Sequence, residues 1–149
     1  MMENTTTTTV TTNKFNYKPI IIAAAAILIA VVALAIVMNV PKGEPNQELI
    51  KQTISEVKKI TTFPKKLDEV TTWTDILEEP GAIRYEYTLD GVKPEQLTEA
   101  VLKTYLVTTL CKNKDTKLIL DKEINMNYSY KFGNATETFF VSITQKDCL

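Results

Sequence analysis

No histidine occurs anywhere in the 149 residues. The side chain that serves most often as general base, metal ligand and pH switch near neutrality is therefore missing. Cysteine is nearly as scarce: Cys111 and Cys148 are the whole complement, and they do not form a C-x-x-C pair. The D-x-D-x-D-G spacing of a calcium loop is absent as well. Positive charge is not in excess, with 17 Lys and Arg against 18 Asp and Glu. Setting aside Lys14, Lys18, Lys42 and Glu3 leaves residues 44–149 with 14 cationic and 17 anionic groups, a formal net of −3. No strongly basic face is implied by that balance, and nucleic acid is not expected as a partner. The usual catalytic sets, metal clusters and cofactor motifs are all wanting, so the sequence predicts a protein that is not an enzyme and carries no cofactor or metal.

Charge is also absent from one long stretch, and what fills the gap organises the rest of the chain. Between Lys18 and Lys42 there is no ionisable side chain, and Ile20–Val40 holds a single polar residue, Asn39. Twelve of its residues are Ile, Leu or Val, with Ala making up most of the remainder. At about −0.3 to −0.6 kcal/mol each, those twelve favour insertion into a bilayer by roughly 4–7 kcal/mol. A helix of this length, at about 1.5 Å per residue, matches the ~30 Å hydrocarbon core. Pro19 suits the first turn of such a helix and Pro41 stands just beyond its end. The expectation is a transmembrane helix over 19–40. Signal-peptide cores run about 7–15 residues and finish at a small-residue cleavage site. Here the run is longer, and its one A-x-A candidate, Ala33-Leu34-Ala35, lies inside it, so a retained signal-anchor is expected rather than a cleaved leader. No Cys follows the run, which excludes a lipoprotein.

Lys14 and Lys18 flank one side of the span and Lys42 and Lys51 the other. The positive-inside count therefore does not orient it. The two cysteines do. A pair of this kind, one after a predicted helix and one near the end of the sequence, suits a disulfide, which persists in an oxidising compartment. The expected topology is single-pass in the cell membrane, with the N-terminus cytoplasmic and the C-terminal domain extracytoplasmic and periplasmic.

Residues 1–18 begin with a Thr-rich tract of low apolar content and are expected to be disordered. Residues 41–45, with Pro41 and Pro45, form a short stiff linker. From Asn46, a good N-cap, Ile50, Ile54 and Val57 recur at helical spacing. Leu67 to about Leu77 reads as a strand, rich in Thr and Val, with imperfect alternation. Ile83, Tyr85, Tyr87 and Leu89 alternate cleanly with polar residues. A second helix is expected from Pro94-Glu95 to about Leu110, with a broad apolar face. Lys112–Asp115 reads as a loop, and Leu118-Ile119-Leu120 is an apolar run of undecided type. Ile124 to Phe132 and Thr136 to Thr144 alternate as two further strands around Gly133-Asn134. The order helix–strand–strand, helix–strand–strand predicts a two-layer α+β domain over 46–149. Its sheet is expected to be antiparallel, of about four strands, with two helices on one face.

Tyr85, Tyr87, Tyr128 and Tyr130 fall on one stripe with Phe132 and Phe139. Such a stripe suits sheet core under helices, and it can also floor a ligand pocket. Trp73, if exposed, would mark a protein interface. Asp75, Glu78 and Glu79 cluster at the first hairpin as a solvated turn. Lys58, Lys59, Lys65 and Lys66 form a basic group that could meet anionic lipid. N-x-[ST] sequons at Asn4, Asn127 and Asn134 carry little weight in a Thr-rich chain, and Asn127 falls mid-strand. Ala26 and Ala30 are spaced as a weak helix-pairing signal.

A hydrophobic N-terminal segment with a two-cysteine loop near the end of the sequence resembles a type IV pilin. The likeness stops there: Pro19 precedes the run, no Glu lies within it, and Pro41 and Pro45 would break the long pilin helix. The sequence therefore points to an anchored envelope protein whose domain binds the membrane through one helix and another envelope protein through its surface. A small-ligand sensor with a tyrosine-lined pocket is the alternative.

Overall fold

A computed structural model describes residues 46–149 apart from Asn134. The expected tail 1–18, membrane helix 19–40 and linker 41–45 lie outside the described residues, as does Asn134. Among the described residues no helix is long and apolar enough to cross a membrane.

Helix α1 spans Asn46–Ile60 and buries Leu49, Ile50, Thr53, Ile54 and Val57, the face that its 3.6-residue periodicity predicts. A two-residue strand β1, Lys65–Lys66, follows, then β2, Thr71–Glu79, and β3, Ala82–Leu89. Pro80-Gly81 turns β2 into β3, with Gly81 at φ +68°, a left-handed conformation that glycine adopts without a Cβ clash. After a 3-10 turn at Pro94–Gln96, helix α2 spans Glu99–Leu110 and helix α3 spans Lys114–Asp121. Strands β4, Asn125–Phe132, and β5, Thr138–Ile143, close the sheet, and a 3-10 turn at Gln145–Cys148 ends the fold.

The α+β class and the two hairpins agree with expectation, but three particulars differ. The sheet has five strands in the order β1-β2-β3-β4-β5 and is mixed: β3 and β4 pair in parallel, while the other neighbours are antiparallel. The reason is the long crossover 90–124. Its helices carry the chain back to the end of the sheet where β3 began, and strands joined this way run parallel. The helices number three among the described residues, because Leu118-Ile119-Leu120 belongs to α3, capped by the Asn113 side chain, which accepts from the N–H groups of Asp115 and Thr116. Residues 114–115, expected in a loop, are its first turn. Finally, α2 begins at Glu99, where Thr98 accepts the Val101 N–H at 3.2 Å, and not at Pro94.

Strand β2 explains its own weak alternation. Trp73 pairs with Tyr87 and Asp75 with Glu86, so Thr74 is an extra residue at a β-bulge. The bulge shifts the buried phase from Thr71 and Trp73 to Ile76. The Trp73 indole N–H donates to the Asp75 carbonyl at 2.8 Å, and the Thr74 hydroxyl donates to the Glu86 carbonyl at 3.0 Å. All three helices send their buried side chains into one core with one face of the sheet.

Candidate functional site

The aromatic residues singled out in the sequence come together in that core. Trp73, Tyr87, Tyr130 and Phe139 are register partners across β2, β3, β4 and β5, so they form a single row. Ile76, Tyr85, Tyr128 and Val141 make the next row. The four tyrosine rings stack with interplanar angles of 10–22° and centroids 5.1–6.5 Å apart. Phe63 meets Trp73 edge-on at 4.8 Å, a favoured aromatic geometry. Trp73, Tyr85, Tyr87, Tyr128 and Tyr130 are all buried, none more than 4% exposed.

Two of these phenols are unusual. The hydroxyls of Tyr85 and Tyr87 are buried and have no hydrogen-bond partner among the described residues, an arrangement that costs about 1–3 kcal/mol per group. Burial pushes the ionisation of Tyr85, Tyr87, Tyr128 and Tyr130 upward, with the charges of neighbouring tyrosines adding to the effect at Tyr87, Tyr128 and Tyr130. Raised acid groups contribute stability that is complete below the unfolded tyrosine pKa of about 10 and is lost as pH climbs above it. Alkaline titration followed by ultraviolet absorbance should therefore show four of the six tyrosines ionising only together with unfolding.

A second cluster sits at the pole of the domain where β2 ends and β3 and β4 begin. Cys111, following α2, is bonded to Cys148, with Cα atoms 5.2 Å apart. Beside the bridge, Asp147 Oδ1 lies 2.9 Å from Lys103 Nζ, and its Oδ2 accepts from the N–H and hydroxyl of Thr144 at 2.8 and 2.9 Å. Partial burial works to raise the Asp147 carboxyl. The hydrogen bonds from Lys103 and Thr144 and the Lys103 charge outweigh it and hold the group below the usual aspartate range. A depressed carboxyl contributes stability above its unfolded pKa of about 3.9 and loses it as pH falls through the folded value. Asp147→Asn should cost about 1 kcal/mol at neutral pH, with the difference from the parent shrinking as pH falls below the usual aspartate range, in urea melts run in parallel down an acid pH series.

The same pole holds α1 to the hairpin. Gln47 Oε1 accepts the Gly81 N–H at 3.1 Å, and its Nε2 donates to the Glu79 carbonyl and the Glu78 carboxylate. The acidic group of the hairpin is fully engaged: Asp75 pairs with Lys58 at 2.9 Å, and Glu79 takes both Arg84 and the Asn127 amide. Among the described residues there is no group of Cys, Asp and Glu that could hold a metal ion.

The sheet face turned away from the helices carries Arg84, Glu86, Thr88, Asn127, Lys131 and Ser142, together with half-buried Leu77, the partner of Arg84, and Phe140, which is 60% exposed. Phe140 is on the outer strand, and its N–H donates to the Glu99 carboxylate at 2.8 Å. That contact covers a backbone donor which an edge strand otherwise leaves open. It was not foreseen from sequence, since it joins residues 41 positions apart.

No protein-family model and no curated protein matches the sequence. Two solved structures share the fold. A Pseudomonas aeruginosa protein described as a candidate secreted protein superposes with a TM-score of 0.61 at 12% identity, over 70% of this chain and 93% of that one. The pilotin of the Vibrio vulnificus type 2 secretion system superposes with a TM-score of 0.53 at 12% identity, over 70% of this chain and 96% of that one. The α+β domain of this chain thus has a fold in common with a secretion pilotin and with a candidate secreted protein.

Proposed function

We propose that the chain is a single-pass membrane protein whose domain stands outside the cytoplasm and binds another envelope protein without catalysing a reaction. The fold held in common with a pilotin carries this reading. The Cys111–Cys148 bridge supports an oxidising location, and the uncharged run Ile20–Val40 supports the anchor. The open sheet face around Phe140 is the contact surface this reading favours, because an exposed aromatic amid polar side chains is the kind of residue that anchors an interface. A photo-reactive residue placed at Phe140 or Ser142 in cells should crosslink the same envelope protein from both positions, and none from Ser55 on the exposed side of α1. Equal adducts from all three positions, or none from Phe140 and Ser142, would count against the reading.

The unpartnered hydroxyls of Tyr85 and Tyr87 favour a second reading, in which the tyrosine rows line a small polar-ligand pocket of a membrane-tethered sensor. Replacement by Phe separates the two. If these tyrosines are core alone, Tyr85→Phe and Tyr87→Phe remove an unsatisfied group and leave stability equal or higher by up to about 1 kcal/mol. If a guest occupies the space, both variants melt lower than the parent in its native membrane and equal to it after purification.

A further inference from the structure

The membrane run ends at Val40 and α1 begins at Asn46. The intervening residues 41–45 can reach no farther than roughly 20 Å even when fully extended. Whatever the linker does, the pole of the domain that carries the start of α1 lies close to the bilayer. Hydrogen bonds identify that pole. Gln47 holds Gly81, and the Gly81 carbonyl accepts the Asn125 N–H at 3.0 Å. Asn125 follows α3 by a short turn, and α3 meets the final 3-10 turn, where Gln145 Nε2 reaches Asp121 at 3.4 Å. Helix α3, the disulfide and the turn 145–148 therefore share the pole with the start of α1.

The chemistry of that pole is lopsided: its α1 and hairpin side carries the exposed Glu48 and Glu78, and its α3 side is basic. Its exposed ionisable side chains in 112–123 and 144–149 are Lys112, Lys114, Lys117, Lys122 and Lys146 against Asp121 and Glu123. Asp121 is paired with Lys117, and Asp147 with Lys103 of α2. Leu118 is 37% exposed on the outer side of α3, between the lysines. Lysine side chains carry an apolar stem and a charged tip, so a face of this make-up suits the boundary between headgroups and acyl chains. The basic group Lys58, Lys59, Lys65 and Lys66 stands at the other end. It begins near the far end of the 15-residue α1, about 20 Å along the helix from Asn46, and Lys58 and Lys59 are paired with Asp75 and Glu56.

We infer that the lysine-bearing face of α3, with the disulfide-tied turn 145–148, rests on the anionic headgroups of the membrane, leaving the opposite pole to face outward. The inference rests on the anchor reading above and adds the orientation of the domain and the lipid class it meets. Attraction of this kind is strong within a Debye length, about 8 Å at physiological ionic strength, and fades beyond it. It therefore fixes a tilt that the short linker alone leaves free.

The test uses the full chain in nanodiscs of phosphatidylcholine alone or with phosphatidylglycerol, each doped with a gadolinium-headgroup lipid. Incorporation is measured first; a chain that stays out of the discs overturns the anchor reading itself, and this inference with it. In incorporated protein, amide relaxation enhancement should be severalfold greater at 112–123 and 144–149 than at 62–70 and 90–98, and the ratio should rise with phosphatidylglycerol. Replacing Lys112, Lys114, Lys122 and Lys146 by Gln should return the ratio to its value in neutral lipid. Equal enhancement at both poles, a reversed ratio, or a ratio indifferent to lipid charge and to the four substitutions would overturn the inference while the anchor stood.

Discussion

Trp73→Ala is expected to destabilise the domain by about 3–5 kcal/mol, the range for emptying a large aromatic site in a packed core. Trp73 is fully buried. Its indole touches Phe63, Tyr85 and Tyr87, with centroids 4.8, 6.2 and 6.4 Å away. It also carries a structural duty that volume alone does not describe. Its N–H satisfies the Asp75 carbonyl within the bulge that resets the phase of β2. Alanine removes that donor, leaves the carbonyl to find another, and opens a void that rigid neighbours on three sides cannot close. Against a total stability of about 5–15 kcal/mol, a large share is lost. At about 4–8 °C per kcal/mol for a domain of this size, Tm should fall by roughly 15 °C or more. Trp73→Phe, which keeps most of the ring and loses the N–H, should fall between the two. Circular dichroism melts of the three proteins check the order.

Removing the bridge should rank beside it. Cys111 and Cys148 are 37 residues apart, and closing a loop of that length restricts the unfolded chain by about 4 kcal/mol in the chain-entropy description. The loop encloses α3, β4, β5 and the last turn, so without the bridge this part of the chain is tied to the rest by core packing, by the β3–β4 ladder and by side-chain contacts such as Lys103–Asp147, Asn127–Glu79 and Phe140–Glu99. A Cys111→Ala, Cys148→Ala double variant, which leaves no odd thiol, should lose about 4 kcal/mol in urea titration. Reduction of the parent should reproduce that loss, and reductant should leave the double variant unchanged. A loss in the variant that reduction of the parent does not reproduce would assign the effect to the substituted side chains, not to the bridge.

The parts of the fold written in local periodicity are legible in the sequence, and those written in long-range pairing are not. Ile50, Ile54 and Val57 announce α1, and Ile83 through Leu89 announce β3, because the buried face of each repeats within one element. The two hairpins are legible from their turn residues, Pro80-Gly81 and Gly133-Asn134, each standing between strand-like runs. The parallel pairing of β3 with β4 depends on where α2 and α3 return the chain, which no residue between Asp90 and Ile124 states. Leu118-Ile119-Leu120 is too short to show a period, and its helical signal rests on Asn113, a cap visible only once the helix is known. Thr74 breaks the alternation of β2 by one residue, which in sequence looks like noise and in the fold is a bulge. The disulfide was legible from scarcity, since a chain with two cysteines allows one intramolecular pairing. The tyrosine stripe was legible as one face of a sheet, but the missing partners of Tyr85 and Tyr87 depend on which helix side chains stand above them. The lysines of α3 gave no sequence signal, because their proximity to the start of α1 is made by Gly81 and Asn125.

Membrane anchoring and an oxidising location for the bridged domain, both proposed above, are tested most directly by one experiment. Cells making the full chain are separated into membrane and soluble fractions under alkaline wash, then denatured and treated with a maleimide–polyethylene glycol, with and without prior reduction. The protein should stay with the membranes at its full length and gain two adducts only after reduction. A soluble polypeptide beginning past Met38, or two thiols that react without reductant, would contradict it.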